Sequence, residues 1–553
     1  MRRDQVIRPA AAALGWTTIV TASITSPLMD GDHMSVYHWG GHAFSLFAPV
    51  LAVFGLIWLA LALMLLSAGS PGRWRVAVWA GLVLITPRIL LNATKLLWPL
   101  DVPAWVRLPA LPWVAAAWVV LVLIWRPAND AYFERGIRWA STLLGFVGVS
   151  GALLLVELGW GAWAARGINS PLPLHHPAAA AQARTTAGPR IIWIVFDELS
   201  EGQVFERRVP GLALPTFDSL AQQSTVFSHV DPAGTYTERV LPSLFTGRAF
   251  GEVRATLTGR LLVPSGRRNQ WGSFDQYDTV FRDALDAGYR TAVVGWYNPY
   301  CRILPGVLDR CYWSHDIGVT GVATSNGSFK QNFETAALRI IRTGTMGRLL
   351  RRNLTDLPVE DPTAHVADFE KLSAAADQQL KDRSDDFVLI HLPIPHPEGI
   401  YNRATGQLTT EPSTYIDNLA LTDKVLAHIR SLLEAEGEWD SSMVVVMGDH
   451  GWRVKTIWRN DPTWTAEEER ASMWVKHPKP AYIVKMPGQK TGSRIDTPFP
   501  AVRTRALLDR VMAGNIRTPE DLAAFARSGI SEFAEASSAA VTTSHSMDDT
   551  AAR

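Results

Sequence analysis

A threonine at the start of a predicted helix is the first residue here that could do chemistry. Residues 234–247 read Gly-Thr-Tyr-Thr-Glu-Arg-Val-Leu-Pro-Ser-Leu-Phe-Thr-Gly. Proline is tolerated only in the first turn of a helix, so Pro242 requires a helix that begins close upstream, near Thr237. The free N–H groups at such a start suit a phosphoryl or sulfuryl group under attack. Thr237 is therefore a candidate nucleophile if a base or a metal lowers its pKa, and otherwise a helix cap.

Two apolar segments end in residues that can bind a metal ion. One covers 191–196 and runs into Asp197 and Glu198, and the other covers 443–448 and runs into Asp449 and His450. Both are typical of buried parallel strands, and α/β sheets bind ligands beyond the carboxyl ends of such strands. Carboxylate and imidazole together suit Zn²⁺ or Mn²⁺, with Ca²⁺ or Mg²⁺ as alternatives. We predict a divalent metal centre here; the alternative is strand-end turns or helix caps.

Further segments match the motifs of a known family, in the order that family has them. They are residues 215–221 with Val226 and Phe227, the stretch 284–295, the helical pattern 415–426 and the segment 481–489. With these segments, residues 190–490 resemble the alkaline phosphatase superfamily, in particular its sulfatase-like branch with lipoteichoic acid synthases and phosphoethanolamine transferases. The resemblance implies an α/β domain with a mostly parallel sheet sandwiched by helices, and a metal-dependent hydrolase or phosphotransferase.

The nucleophile position separates the branches of this family. Sulfatases place a modifiable Cys or Ser two residues before a proline, and Val240 stands there, with Leu244 where their arginine is expected. Phosphoethanolamine transferases place a threonine five residues before that proline inside Gly-Thr-x-Thr, which Thr237 and Pro242 match. The resemblance therefore favours a transferase over a formylglycine sulfatase.

Histidines give a second, partial match to the transferases. His391 and His396 have the five-residue spacing of two transferase histidines, which implies that His396 helps to bind the transferred phosphate. His391 could equally be a core histidine. The transferases carry a further histidine about a dozen residues after Asp-His-Gly, whereas residues 454–473 contain none and His477 lies in a proline-flanked turn. This departure argues against a second metal site.

Composition predicts a membrane protein of more than one domain. The chain has 553 residues, 47% of them hydrophobic, and 22 tryptophans. Its net charge of +1 excludes a bulk nucleic-acid binder. We predict a transmembrane domain of about five helices over residues 1–165. The predicted spans are Pro9 to Met29, Phe44 to Leu66, Val76 to Trp98, Leu108 to Trp125 and Trp139 to Trp163.

The distribution of charge predicts the orientation of these spans. Basic residues cluster before the first span and after the second and the fourth, so the N-terminus is expected in the cytoplasm and everything after the fifth span outside. This topology corresponds to a multi-pass protein of a bacterial cytoplasmic membrane with a periplasmic catalytic domain. Within the spans, Arg88 and Glu157 could line a headgroup pathway, and Lys95 could equally reach the interface.

The rest of the chain divides into a linker, a catalytic domain and a tail. Residues 166–189 are a Pro/Ala-rich linker, in which His175 and His176 are expected to be solvated. Residues 190–515 form the extracytoplasmic catalytic domain, and residues 516–553 a largely disordered tail. Cys301 and Cys311 fall outside the cell in this topology, where a disulfide is expected.

The sequence thus predicts a membrane-anchored transferase that uses a phospholipid donor. Asp197, Asp449 and His450 would hold the metal, with Glu198 as a further ligand, and Thr237 would attack the phosphodiester. His396 would bind the phosphate or protonate the leaving group, and an envelope glycan or lipid would accept phosphoethanolamine or phosphoglycerol. The alternatives are a phosphodiesterase or sulfoester hydrolase with the same site, and a non-catalytic envelope scaffold or polymer-export component.

Overall fold

The chain folds into two compact units, which we call the helical unit and the sheet unit. The computed structural model describes residues 3–29, 31–67, 130–169, 174–175, 188–265, 270–316, 322–343, 362–461, 463–475 and 478–528. The helical unit comprises Met1–Asn169 and Gly318–Leu357, and the sheet unit comprises Ser170–Ile317 and Pro358–Arg553.

The described part of the helical unit consists of helices. They are α1 (Arg3–Thr25), α2 (Met34–Tyr37), α3 (Ala43–Ser67), α4 (Asp130–Ala164) and α9 (Phe329–Thr343). Two stretches, Ala43–Leu66 and Arg138–Gly167, are long and apolar enough to cross a membrane. They coincide with the second and the fifth predicted span.

The other predicted spans have different outcomes. The first forms α1, which is not among the two candidate spans. The third and the fourth, with Arg88 and Lys95, lie outside the described residues. The count of five spans is therefore not confirmed. Glu157 lies exposed on α4.

The segment that carries α9 belongs to the helical unit. The sheet unit is therefore interrupted, whereas the prediction was one continuous domain over 190–515. Asn332 is fully buried, donates from Nδ2 to the Ser45 carbonyl at 3.0 Å, and accepts at Oδ1 from the Thr324 N–H at 3.0 Å. Arg339 Nε donates to the Ser23 carbonyl at 2.9 Å. Ser45 lies 287 positions from Asn332, and Ser23 lies 316 positions from Arg339, so no local pattern could reveal these two pairings.

The centre of the sheet unit is an eight-stranded sheet with the order β14-β2-β13-β12-β1-β9-β7-β8. Only β13 runs antiparallel to its neighbours, so the mostly parallel sheet is confirmed. Its strands are β1 (Ile191–Phe196), β2 (Thr225–Phe227), β7 (Thr291–Trp296), β8 (Arg310–Ser314), β9 (Phe387–Leu392), β12 (Met443–Gly448), β13 (Tyr482–Lys485) and β14 (Ser493–Ile495). Two two-stranded sheets lie outside it, β3 (Val230–Asp231) with β15 (Phe499–Pro500) and β10 (Tyr401–Asn402) with β11 (Gln407–Leu408). A three-stranded sheet consists of β4 (Arg254–Ala255), β5 (Leu261–Pro264) and β6 (Trp271–Ser273).

Helices pack against both faces of this sheet. They are α5 (Pro215–Ala221), α6 (Thr237–Thr246), α7 (Val280–Asp286), α8 (Tyr300–Ile303), α10 (Pro362–Lys381), α11 (Tyr415–Ala435), α12 (Ala466–Ser472), α13 (Thr504–Met512) and α14 (Pro519–Arg527). On one face, Ile192 and Ile194 of β1 join a core with residues of α10 and α11. On the other, Trp193 of β1 meets Phe245 of α6 edge to face, with 5.9 Å between ring centroids. Successive strand residues point to opposite faces, so the apolar run of β1 fills both cores.

The register of the two central strands positions the predicted site. Strands β1 and β12 pair in parallel, with Phe196 opposite Gly448. Asp197 and Asp449 therefore follow at the same end of adjacent strands. The α6 helix contributes Thr237 as its first residue.

The prediction for the tail needs correction, and His175 of the predicted linker is partly exposed with one polar side-chain partner. His175, expected to be solvated, places Nδ1 3.0 Å from Asp309 Oδ1, whereas His176 and His477 lie outside the described residues. The tail prediction is wrong for residues up to 528, because Thr518 caps α14 in a capping box and Leu522 and Phe525 are buried. Residues 529–553 lie outside the described part of the chain.

The predicted disulfide between Cys301 and Cys311 is present and joins α8 to β8 across a separation of 10 residues. A crosslink over a loop of this size stabilises a fold mainly by restricting the unfolded chain. It also holds α8 next to the sheet.

We predict that replacing both cysteines, as Cys301→Ala with Cys311→Ala, lowers the free energy of unfolding of the sheet unit by about 3 kcal/mol. Urea unfolding of the full chain, followed by tryptophan fluorescence, measures the change. The reducing agent dithiothreitol should lower the urea unfolding midpoint of the parent chain and leave that of the double variant unchanged. Equal unfolding midpoints for the oxidised parent and the variant would contradict this expectation.

Candidate active site

The hydroxyl of Thr237 lies among three of the predicted metal ligands. Its Oγ1 is 3.1 Å from Asp197 Oδ2, 2.9 Å from Asp449 Oδ2 and 3.5 Å from His450 Nε2. All four side chains are buried. Tyr236 stands in the cap position of α6, so Thr237 is a helical residue whose side chain enters the site. The interpretation of Thr237 as a mere helix cap is therefore excluded.

Backbone hydrogen bonds fix the carboxylate of Asp449. Its Oδ1 accepts from the Glu198 N–H at 3.0 Å and from the His450 N–H at 2.7 Å, which leaves Oδ2 towards Thr237. Asn298 Nδ2 donates to the Thr237 carbonyl at 3.3 Å and ties the start of α6 to the loop after β7. Two main-chain N–H groups thus hold Asp449, and a side-chain amide holds the start of α6.

Lone pairs outnumber protons in this cluster. His450 Nδ1 lies 3.2 Å from the Gly451 carbonyl, which can only accept, so we assign the proton to Nδ1 and the lone pair to Nε2. The single proton of the Thr237 hydroxyl therefore faces a carboxylate oxygen from each aspartate and an imidazole lone pair. Asp197 Oδ1 is buried and has no hydrogen-bond partner in the described structure. A cation is the species that would satisfy all of these atoms.

The pKa shifts of these side chains also indicate a metal site. Burial, and then the nearby Asp449 charge, raises the pKa of Asp197 well above its usual range. Burial also raises the pKa of Asp449. Burial, and then the Arg453 charge, lowers the pKa of His450 to about 3, so its imidazole is neutral and can act as a ligand. Two buried carboxylates beside a neutral imidazole are a donor set that suits a divalent metal ion.

Glu198 lies beside this cluster and has partners of its own. Its carboxylate forms an ion pair with the Arg453 guanidinium and accepts from Trp458 Nε1 at 2.9 Å. The residue has a φ of 63°, uncommon outside glycine, which turns the chain directly after Asp197. Glu198, Asp197 and His396 nevertheless form a second group whose ligand atoms lie within 4.8 Å of one another.

His396, predicted to bind the phosphate, forms a hydrogen bond with an arginine side chain. Its Nε2 lies 3.1 Å from Arg453 Nη2, and a guanidinium only donates, so Nε2 accepts. Burial, followed by the Arg453 charge, lowers the pKa of His396 well below its usual range. A neutral imidazole whose Nε2 already accepts a hydrogen bond cannot protonate a leaving group from that nitrogen.

His391 belongs to the site and is not simply a core histidine. Its Nδ1 lies 3.0 Å from the Trp296 carbonyl and 2.7 Å from the Tyr300 hydroxyl. We assign the proton to Nδ1, because the carbonyl can only accept. Nε2 then carries a lone pair 3.6 Å from Asp197 Oδ2, in an imidazole whose pKa burial lowers to about 4.

Sequence reasoning missed Arg453, Trp458 and Tyr300. Arg453 follows Asp-His-Gly after a single residue, and this placement of a basic residue is the signal that could have revealed it. Trp458 and Tyr300 stand in loop or short-helix segments without a motif, so their roles required the three-dimensional structure.

Part of the chain matches a known protein family. Residues 189–490 match the sequence model of the sulfatase family. A search of curated proteins gave no match.

A search of solved structures gave the following matches, among others. The lipoteichoic acid synthase LtaP from Listeria monocytogenes is 14% identical, over 64% of this chain and 79% of that one, with a TM-score of 0.37. The phosphonate monoester hydrolase of Agrobacterium radiobacter is 13% identical, over 58% and 73%, with a TM-score of 0.36. The PsFucS1 sulfatase from Pseudoalteromonas sp. is 14% identical, over 59% and 68%, with a TM-score of 0.40.

The family match spans more than half of the chain and runs from the strand before Asp197 to a position beyond Asp449 and His450. It therefore contains every residue of the cluster around the Thr237 hydroxyl, and the protein is an enzyme of the sulfatase family.

Proposed function

We propose that this enzyme moves a phospholipid-derived headgroup, phosphoethanolamine or phosphoglycerol, to a cell-envelope glycan or lipid through an intermediate on Thr237. The observation that carries the proposal is the contact of the Thr237 hydroxyl with two buried carboxylates at the start of a helix. The position of the sulfatase nucleophile is held by Val240, a fully buried aliphatic side chain that cannot be modified to an aldehyde. Threonine is thus the hydroxyl that this site offers.

The residues of the chain have separate roles in the proposed reaction. Asp197, Asp449 and His450 would hold a divalent cation, whose charge would lower the pKa of the Thr237 hydroxyl when bound. Thr237 Oγ1 attacks the phosphorus of the donor, an O–P bond forms, and the bond from phosphorus to the diacylglycerol oxygen breaks. The Thr237 proton leaves through the carboxylates, and the diacylglycerol oxygen takes up a proton. The positive end of the α6 dipole, where Thr237 is the first helical residue, can stabilise the phosphoryl oxygens.

The second half of the reaction regenerates the nucleophile. An acceptor hydroxyl attacks the phosphorus of the phosphothreonine, its O–P bond forms, and the bond to Thr237 Oγ1 breaks. The acceptor proton replaces the one lost from Thr237. Water as acceptor would make the same site a phosphodiesterase, so analysis of the products with and without a glycan acceptor separates the two activities.

A membrane location supports a lipid donor. Among the residues that the structure describes, two helices could cross a membrane. The disulfide in the sheet unit suits an oxidising compartment. We therefore propose a multi-pass protein of the bacterial cytoplasmic membrane with the sheet unit in the periplasm.

We predict that Thr237→Ala lowers headgroup release on the order of 10³-fold or more, because the attacking oxygen is removed. Release of fluorescent diacylglycerol from phosphatidylethanolamine and phosphatidylglycerol vesicles measures the rate. Mass spectrometry of the quenched parent enzyme should show a headgroup adduct on the peptide that contains residue 237. Thr235→Ala, two residues away and exposed, is the matched control and should keep both rate and adduct. Unchanged turnover in the Thr237→Ala variant would rule the proposal out.

We predict opposite effects of Asp197→Asn on stability with and without metal. The neutral amide removes one of two buried like charges. Without metal, the free energy of unfolding of the variant should therefore exceed that of the parent, by on the order of 1 kcal/mol. The same change should abolish most of the stabilisation that added zinc or manganese gives the parent. Thermal unfolding with EDTA and with each metal measures both quantities.

Asp440→Asn is the control for this experiment, because Asp440 is exposed and pairs with Lys490 on the surface. It should respond to metal as the parent does. A metal-free Asp197→Asn variant that is less stable than the metal-free parent would show that the two carboxylates do not repel one another in the folded chain.

A further inference from the structure

Helix α9 has an outward face whose two halves differ in polarity. In the first half, Lys330 and Glu334 are exposed and form an ion pair at 3.9 Å. In the second half, the same face continues with Leu338 and Ile341, which are 46% and 57% exposed. Residues three or four positions apart lie on one side of a helix, so these side chains form one stripe. The stripe thus begins with charged side chains and ends with large apolar ones.

The opposite face of α9 packs on one end of the other helices of the helical unit. Asn332 donates to the carbonyl of Ser45, the third residue of α3. Arg339 donates to the carbonyl of Ser23, three residues from the end of α1. Ala336 is buried with residues near the end of α1, the start of α3 and the end of α4, namely Ile24, Ala43, Leu46 and Leu158. Helix α9 therefore lies where α1 and α4 end and α3 begins.

Aromatic and basic side chains mark this end as a membrane boundary. Trp160 and Trp163 near the end of α4 are 56% and 54% exposed, and their ring centroids are 4.8 Å apart. The guanidinium carbon of Arg166 lies 4.1 Å from the centre of the Trp163 ring. Exposed tryptophan and arginine at a helix end are typical of the interface between hydrocarbon and water. Leu158 and Ala165, on either side of these tryptophans in sequence, share a buried cluster with α9, which places α9 at the depth of this boundary.

The exposed apolar surface of α9 continues onto a candidate membrane span. Phe329, the first residue of α9, is 45% exposed, and its ring stacks on that of Phe44 with 6.5 Å between centroids. Phe44 is 72% exposed and belongs to the candidate span Ala43–Leu66. Both ends of α9 therefore expose apolar side chains at the boundary, and one of them adjoins a helix that could cross the bilayer.

We propose that α9 is an interfacial helix whose partner is the phospholipid bilayer, with Leu338 and Ile341 among the acyl chains and Lys330 and Glu334 on the water side. In the proposed topology this is the outer leaflet. An amphipathic helix at this depth gains from burying its apolar side chains in lipid. The segment of α9 leaves and re-enters the sheet unit, so it attaches that unit to the membrane at a second point besides α4. The inference rests on the proposed membrane location and not on the proposed chemistry.

Spin labels on single introduced cysteines test the position of α9. The chain has two cysteines, and both are in the disulfide, so one new thiol can be labelled selectively. The full chain carrying Leu338→Cys or Ile341→Cys is labelled with a nitroxide and reconstituted into vesicles of phosphatidylethanolamine and phosphatidylglycerol. Oxygen concentrates in hydrocarbon and a hydrophilic nickel chelate stays in water, so their collision rates with the label distinguish the two environments. Both labels should collide often with oxygen and lose almost all collisions with nickel.

Three further positions serve as references. Val149→Cys lies on the exposed side of α4 within a candidate span and defines the signal of lipid. Ala427→Cys lies exposed on α11 of the sheet unit and defines the signal of water. Glu334→Cys is the matched control on α9 itself, one turn before Leu338, and should collide with nickel more often than the labels at 338 and 341 do.

Each remaining outcome overturns the proposal in a recognisable way. Frequent nickel collisions at 338 and 341 would show that α9 faces water, and few collisions with either reagent would show that protein covers it. Nickel collisions at 149 as well would refute the membrane location itself. The unmodified chain gives an independent measurement, because a phospholipid with a photoreactive acyl chain should crosslink to peptides of both α9 and α4. Adducts on α4 without any on α9 would contradict the proposal while the membrane location stands.

Discussion

The site depends on an excess of lone pairs around one hydroxyl. Oxygens of Asp197 and Asp449 and a nitrogen of His450 all lie within 3.5 Å of the Thr237 oxygen, which carries one proton. Burying such a set is unfavourable unless a positive charge joins it. The fold maintains it by placing both aspartates after paired parallel strands and by holding Asp449 with backbone N–H groups. The requirement for a cation is therefore a property of the fold.

A network behind the site supports its geometry. The disulfide holds α8 against β8, and α8 carries Tyr300. The Tyr300 hydroxyl contacts Nδ1 of His391, whose Nε2 faces Asp197. The position of Asp197 is thus linked through two side chains to a covalent crosslink. Such supporting contacts fix the orientation of groups that bind ions or substrates.

Much of this centre could be predicted from sequence because its signals are local. The apolar runs before Asp197 and Asp449 indicate buried parallel strands, and parallel pairing alone brings their ends together. Pro242 fixes where α6 begins and therefore which threonine stands at its start. The role of Glu198 was harder to predict, because the φ of 63° that redirects its chain follows from no sequence pattern. The pairing of Arg453 with Glu198 spans 255 positions and required the folded chain.

Helix α9 has a consequence for how this protein can be made and divided. The chain leaves the helical unit after residue 169, builds β1 to β8, returns for Gly318–Leu357 and then resumes the sheet with β9. Ribosomal synthesis must therefore pass residue 332 before Asn332 can meet the carbonyl of Ser45. A soluble fragment that begins near residue 188 would carry α9 without α1 and α3 and would expose Asn332, Ala336 and Phe333 to water. The chain therefore passes between the two units three times. Expressing the sheet unit alone requires a linker peptide in place of residues 318–357.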